Sequence, residues 1–331
     1  MPVNNNLEPM NPPIAFSFDE KPETAYKNDL DAIKVSLVGA PTLLQIAGFL
    51  PDFVLATFAK KPLSEEFQNF ETAADEGKAE VKAARYLYET LKGERLPTAL
   101  ETIQLTFCLD GISIQEATHI LRHRLASFSA DCSGEKTWAK KDALVPSAIE
   151  NSPEFYERWK KIVEDSKELY CDMINSKEIS IMNARSILPR CLETFYFMSM
   201  PLNVAIAFIR QRIDRAIQPE TDNVIAYRML SELCSIYPFI SKVIDIDSQP
   251  TYYVKTLRSG TNSIMYAPDP RYNITTEYNS NDIAYGDKTR TEINGTDKKL
   301  ASQNQPFEKI YLETKKVIEH AKQISEQIYG I

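Results

Sequence analysis

The stretch ETIQLTFCLD, residues 101–110, puts Ile103, Leu105 and Phe107 on one side of an extended chain. Alternation of period two predicts a strand with one face buried, ended here by Gly111. Immediately beyond, Ser113 and Glu116 make a capping box, and Ile114, Ala117, Leu121 and Leu125 form one helical stripe. A second strand is predicted over LETFYFMSM, residues 192–200. Helices are predicted over 81–91 and 154–174, with a shorter one ending at Pro189. Pro201 suits a first helical turn, and Leu202, Ala205, Ile209 and Ile213 are the apolar stripe that follows. That spacing leaves Arg212 off the stripe, beside polar residues. A further helix starts at Pro219 and runs to about Ile236.

The two ends read differently from this middle. Residues 1–30 are rich in Asn, Pro and Glu and are expected to form an arm. Residues 31–248 make the main domain, and 249–331 a C-terminal extension. Within the extension, 251–305 is polar and reads as loops or short hairpins. Phe307 to Ile328 then forms an amphipathic helix with Ile310, Val317, Ala321, Ile324 and Ile328 on one side. Two readings stay open for it: docking on its own domain, or pairing between copies.

The stretch RHRLASFSADCSG, residues 122–134, stands out against the overall charge. The chain has 331 residues, a formal net charge of −8 and only three histidines. An acidic protein is a poor binder of nucleic acid as a polymer, so a basic cluster points to a pocket for a small anion. With His119, His123 and His320 alone, a histidine zinc site is not expected, and metal ligands are assigned to none of the residues. No apolar run reaches membrane-spanning length. Five scattered cysteines and an N-terminus without a signal pattern point to reduced thiols and a cytoplasmic location. Successive helical residues point about 100° apart, so Arg122 and Arg124 would face nearly opposite sides of a continuing helix. Either the helix ends there, or the two arginines serve different ligands.

R-H-R followed by Ser-Gly resembles the motif of flavin-dependent thymidylate synthases. Other stretches fall in the same order. Thr98-x-x-Glu101 leading into LTF is similar to that family's flavin-contacting element, and Thr57 in VLATF to its small hydroxyl residue near the flavin. ARSILP (184–189) resembles A-R-x-x-L-P, and RQRIDRAIQPE (210–220) resembles L-R-A-D-x-x-A-Q-x-E, with Arg212, Asp214, Gln218 and Glu220 in place. From Ala184 to Ala226 the match needs no gap. The resemblance implies an α+β fold, a mixed core with an antiparallel sheet flanked by helices, assembled as a homotetramer. It implies FAD as cofactor, with NADPH and methylenetetrahydrofolate as co-substrates, and a pyrimidine nucleotide such as dUMP as the acceptor of a methyl group at C5. Carried over by position, Thr57, Thr98, Glu101, Arg122, His123, Arg124, Leu125 and Asn203 would hold the flavin. His119, Ser133, Gly134, Lys136, Arg185 and Arg212 would hold the nucleotide, with Arg212 and Ser133 at the chemistry. Arg185 would take the phosphate, and Arg212 would stabilise charge developing in the pyrimidine.

Several positions depart from the family's pattern. One extra residue, Cys132, separates R-H-R from Ser-Gly, and Asp131 falls near a family Glu. Cys132 reads as a small buried cysteine; the bolder reading is a thiolate attacking pyrimidine C6. Glu135 replaces a phosphate-binding Arg, with Lys136 beside it, and His119 replaces a Gln. The flavin contacts N-A-R-x-x-x-N become Pro201, Asn203 and Ala207, and a family His becomes Ala216. Two functions remain open on these grounds. One is C5 methylation or hydroxymethylation of dUMP or another pyrimidine; the other is a non-synthase descendant acting as a structural or ligand-binding oligomer.

Overall fold

The structure is a computed structural model. It describes residues 23–47, 78–94, 97–123, 125–133, 138–213, 219–244, 246 and 306–331, with short strands at 253–256, 262–265, 284–285 and 288–289. The strands needed below are β1 (Tyr26–Asn28), β2 (Lys34–Gly39), β3 (Gln104–Ser113), β4 (Ser127–Ala130), β5 (Ala143–Val145) and β6 (Glu193–Pro201). The helices are α1 (Ala79–Leu91), α2 (Ile114–Ile120), α3 (Pro153–Asn175), α4 (Leu202–Arg212), α5 (Glu220–Ile236) and α6 (Pro306–Ile324).

The two strands expected from alternation pair with each other at the centre of a sheet ordered β2-β3-β6-β4, antiparallel throughout. Leu105, Phe107 and Leu109 lie opposite Met200, Met198 and Tyr196, and all six are buried. This face is covered by α2, α4 and α5, and α6 packs behind α5. The other face carries the Thr106–Ser199 hydroxyl pair at 2.8 Å, and Phe197 stays 40 % exposed there. Sheet and helices together form the expected α+β core.

Gly111 does not end β3. The strand runs on through it to Ser113, with a bulge where the pairing register shifts between Leu109 and Ile112. Gly111 takes a φ of +66°, and a Cβ on it would stand 2.0 Å from the Ala32 carbonyl oxygen. The bulge spends one residue on a bend and delivers Ser113 to the head of α2. There the Ser113 hydroxyl accepts from the Gln115 and Glu116 amides at 3.1 and 3.3 Å, as the capping box requires. The start of β3 also differs: residues 98–101 form a helical turn, so the strand begins at Gln104.

The predicted α2 stripe stops early. The helix ends at Ile120, and Leu121 and Leu125 are 45 % and 71 % exposed. Arg122 thus lies in the turn after the helix, which removes the facing conflict. Pro201 is the residue before α4 rather than its first turn, while Leu202, Ala205, Ile209 and Ile213 are buried as the spacing required. The end of the expected arm belongs to the fold: β1 pairs in parallel with β5, and Leu30 is buried in the core. Phe307, Ile310, Ile318 and Ala321 of α6 join the same core, so this helix docks on its own chain. Of its expected stripe, Ile328 is exposed, because the last turn widens at Ser325–Tyr329. No helix among the described residues is long and apolar enough to cross a membrane.

Candidate active site

Three helices meet over the buried sheet face, and each brings one polar residue to the same point. Arg212, which the spacing left off the α4 stripe, is buried instead: it is the last residue of α4, and α2 and α5 close over the helix end so that the guanidinium is nearly shut off from solvent. The first turn of α5 supplies Asp222, and α2 supplies His119. Arg212 Nη1 donates to Asp222 Oδ2 and lies 3.1 and 3.3 Å from His119 Nδ1 and Nε2. His119 Nδ1 is 3.1 Å from the same Asp222 oxygen. Asn223 Nδ2 donates to the Arg212 carbonyl at 2.6 Å, tying α5 to the end of α4. Arg212 Nε and Asp222 Oδ1 are buried with no hydrogen-bond partner among the described residues. The guanidinium also sits 5.3 Å from the Phe208 ring centroid.

Around this pair the fold gathers more titratable groups. Burial, and after it the Arg212 charge, holds the His123 imidazole below its ordinary value. Burial is also the main reason that Glu116 is pushed up, with the Asp222 charge adding to it. Asp29 is raised well above its ordinary value, again by burial first and then by Glu116 and Glu220; its Oδ1 has no partner among the described residues. The Tyr196 hydroxyl, raised by burial and next by Asp222, donates to the Ala117 carbonyl at 3.4 Å. A line of carboxylates therefore runs from Asp29 through Glu116 to Asp222, and Arg212 answers it.

The other predicted residues fall in separate places. Thr98 and Glu101 are exposed at either end of the helical turn before β3, which packs beside α4, where half-buried Asn203 stands in the first turn. Asn203 Oδ1 accepts from the Val204 amide at 2.9 Å. Arg122 is exposed, and Ser133 is half-buried in the turn after β4. Arg185 is half-buried and heads a short 3-10 turn, Arg185–Ile187, beside α3, between Ala184 and Ile187 of the smaller core around Tyr170. Asp131 is paired with Lys141 at 2.9 Å. Cys132 is exposed, which corrects the reading of a buried cysteine: the turn after β4 carries it outside the core. Thr57, Arg124, Gly134, Glu135, Lys136, Asp214, Ala216 and Gln218 lie outside the described residues. Among the described residues no group of three His, Cys, Asp or Glu side chains could hold a metal ion.

Asp222 was not legible as a site residue. An acidic side chain in the first turn of a helix already has a local explanation, the helix dipole, so nothing in the spacing marks it.

The family model described as thymidylate synthase complementing protein matches residues 51–239, more than half of the chain, and spans His119, Arg212 and Asp222. The chain belongs to this family. Among the relatives of this family member, a flavin-dependent thymidylate synthase of Thermococcus onnurineus is 28 % identical over 191 residues, covering 54 % of this chain and 77 % of that protein. One of Pyrococcus furiosus is 29 % identical over 138 residues, which is 40 % of this chain and 56 % of that one. The family member is thus a divergent relative of flavin-dependent thymidylate synthases, which are enzymes. Among solved structures, a UMP/dUMP methylase of Streptomyces cacaoi bound with 5-Br dUMP superposes with a TM-score of 0.51 at 15 % identity, over 66 % of this chain and 96 % of that one. At that identity the likeness is one of fold.

Proposed function

We propose that the protein is a flavin-dependent methyltransferase acting at C5 of a pyrimidine deoxynucleotide such as dUMP, with methylenetetrahydrofolate as carbon donor and NADPH as hydride source. The observation that carries this is Arg212: a guanidinium fixed at one end by Asp222 and His119, with its Nε buried and unpartnered among the described residues. A preoriented cation of that kind stabilises negative charge developing in a pyrimidine ring at no cost in reorganisation. The family's named relatives support the reading.

The residues toward FAD suit a flavin. Arg122 offers an exposed guanidinium, and His123 Nε2 is a buried ring nitrogen without a partner among the described residues. Thr98 and Glu101 stand exposed beside the α4 end that bears Asn203. Thr57, Arg124 and Leu125 complete the assignment. When bound, the flavin supplies the hydride transfer. Toward the nucleotide we assign Arg185 to the phosphate, His119, Ser133, Gly134 and Lys136 to its lining, and Arg212 with Ser133 to the chemistry. Glu135 would repel a dianionic phosphate, which favours another pyrimidine nucleotide or a nucleoside over dUMP. A homotetramer completes the proposal.

Purified protein should carry or take up FAD. Arg212→Ala should keep flavin uptake while kcat falls about 100- to 1,000-fold, or roughly 2.7–4 kcal/mol in the transition state. A titration in which neither FAD nor FMN binds, with or without nucleotide, would end the enzyme reading.

A further inference from the structure

Phe155, Ile162 and Leu169 stand on α3 at intervals of seven residues, and they are 59, 64 and 42 % exposed. Seven residues are close to two helical turns, so the three line one side of the helix. A different side holds α3 to its own chain. Val163, Tyr170, Cys171 and Ile174 do that, in the two smaller cores around Tyr170 and Trp138. Half-buried Trp159 and Met173 flank the exposed stripe and lean on those cores. Small Ser166 sits between Ile162 and Leu169, its hydroxyl donating to the Ile162 carbonyl at 2.7 Å. Large apolar side chains lined up in water on a helix of 23 residues mark a surface that a partner covers.

The charges beside the stripe identify the partner. In chain order they are Arg158, Lys161, Asp165, Glu168 and Asp172, positive first and negative after. Glu154, before them, faces its own Arg158 at 4.0 Å, and Lys161 pairs along the helix with Asp165 at 2.9 Å. A second α3 laid alongside in the same direction sets like charges together. Turned about a two-fold axis at Ile162, it sets Arg158 and Lys161 against Asp165 and Glu168 of the second copy. Ile162 then meets its own copy, and Phe155 meets Leu169, each being seven residues from the axis. The two Lys161–Asp165 pairs lie side by side in opposite directions, four charges of alternating sign.

We propose that α3 is a two-fold interface between copies of this chain, with two α3 helices antiparallel and Ile162 on the axis. Such an interface is isologous, each copy giving the same stripe. The proposal rests on the homotetramer of the reading above, to which it assigns one face, and on none of the flavin or nucleotide assignments.

Sedimentation velocity on the full chain tests it. Ile162→Asp sets a carboxylate against its own copy on the axis and should weaken association at least about 100-fold, halving the mass of the assembly. Ile162 is exposed within its own chain, so the circular dichroism spectrum should not change. Two charge variants test the direction. Arg158→Glu with Lys161→Glu makes four flanking positions negative, and Asp165→Lys with Glu168→Lys makes the same four positive. Each variant alone should associate at least about tenfold more weakly than native protein, and an equimolar mixture should recover the native mass. Native protein that sediments as a single copy overturns the proposal and the tetramer together. A native assembly that survives Ile162→Asp overturns the proposal and leaves the tetramer standing on another face. A mixture that associates no better than either variant alone overturns the antiparallel pairing.

Discussion

His123 stands edge-on to Phe208, with ring centroids 5.2 Å apart and planes at 86°, so one side of its imidazole is committed to the core. Burial and then the Arg212 charge hold it below its ordinary value of 6.5, so the folded protein keeps the ring neutral where the unfolded chain would protonate it. The unfolded state therefore binds more protons between the lowered folded value and 6.5, and stability falls as the pH drops through that window. Above it the contribution is intact. Urea midpoints should drop more on acidification in the native protein than in His123→Gln. An equal drop in both would assign the acid sensitivity to another group. Neighbouring Glu116 and Asp29 work in the opposite sense: their folded values are raised, so protonation relieves a buried charge.

The β3–bulge–α2 unit shows how one backbone bend places a side chain that the site depends on. Gly111 lets the chain leave the sheet under the Ala32 carbonyl, and Ser113 then opens a helix of only seven residues that ends at Ile120. His119 lies in its last turn, so its place opposite Arg212 follows from the bulge. Gly111→Ala would force a side chain into positive φ and into the Ala32 backbone. It should cost about 3 kcal/mol or more in equilibrium unfolding. Should the loss stay below about 1 kcal/mol, Ala32 has room to withdraw and the bulge is softer than its geometry implies.

Over the whole molecule, the C-terminal helix supports the site from behind. Phe307 and Tyr311 of α6 each lie 5.9 Å from the Tyr227 ring of α5, the helix whose first turn holds Asp222. Lys242 closes the far end of this packing with an ion pair to Glu326. Removing residues 306–331 would strip Phe307, Ile310 and Ile318 from the core, at about 1.5–3 kcal/mol for each large side chain. The truncated protein should melt at least about 10 °C lower and bind nucleotide more weakly than the full chain. A Tm within about 3 °C of the full chain would make the helix an accessory.

What the sequence by itself determined was local. Period-two alternation placed β3 and β6, Ser113 announced the head of α2, and the stripe from Leu202 to Ile213 announced α4, because each depends on neighbours within a few residues. The motifs around R-H-R, Arg185 and Arg212 also disclosed the family, since they hold their order along the chain. Tertiary structure alone decided the rest. Spacing cannot separate a glycine that ends a strand from one that bulges it; the carbonyl of Ala32, on another segment, makes that choice. Nor could the partners of Arg212 be read in advance. Asp222 is ten residues on, across a helix boundary, and His119 is 93 residues back. A buried charge takes its partner from whichever side chains the packed helices bring within reach, and that is settled only when α2, α4 and α5 close over the sheet.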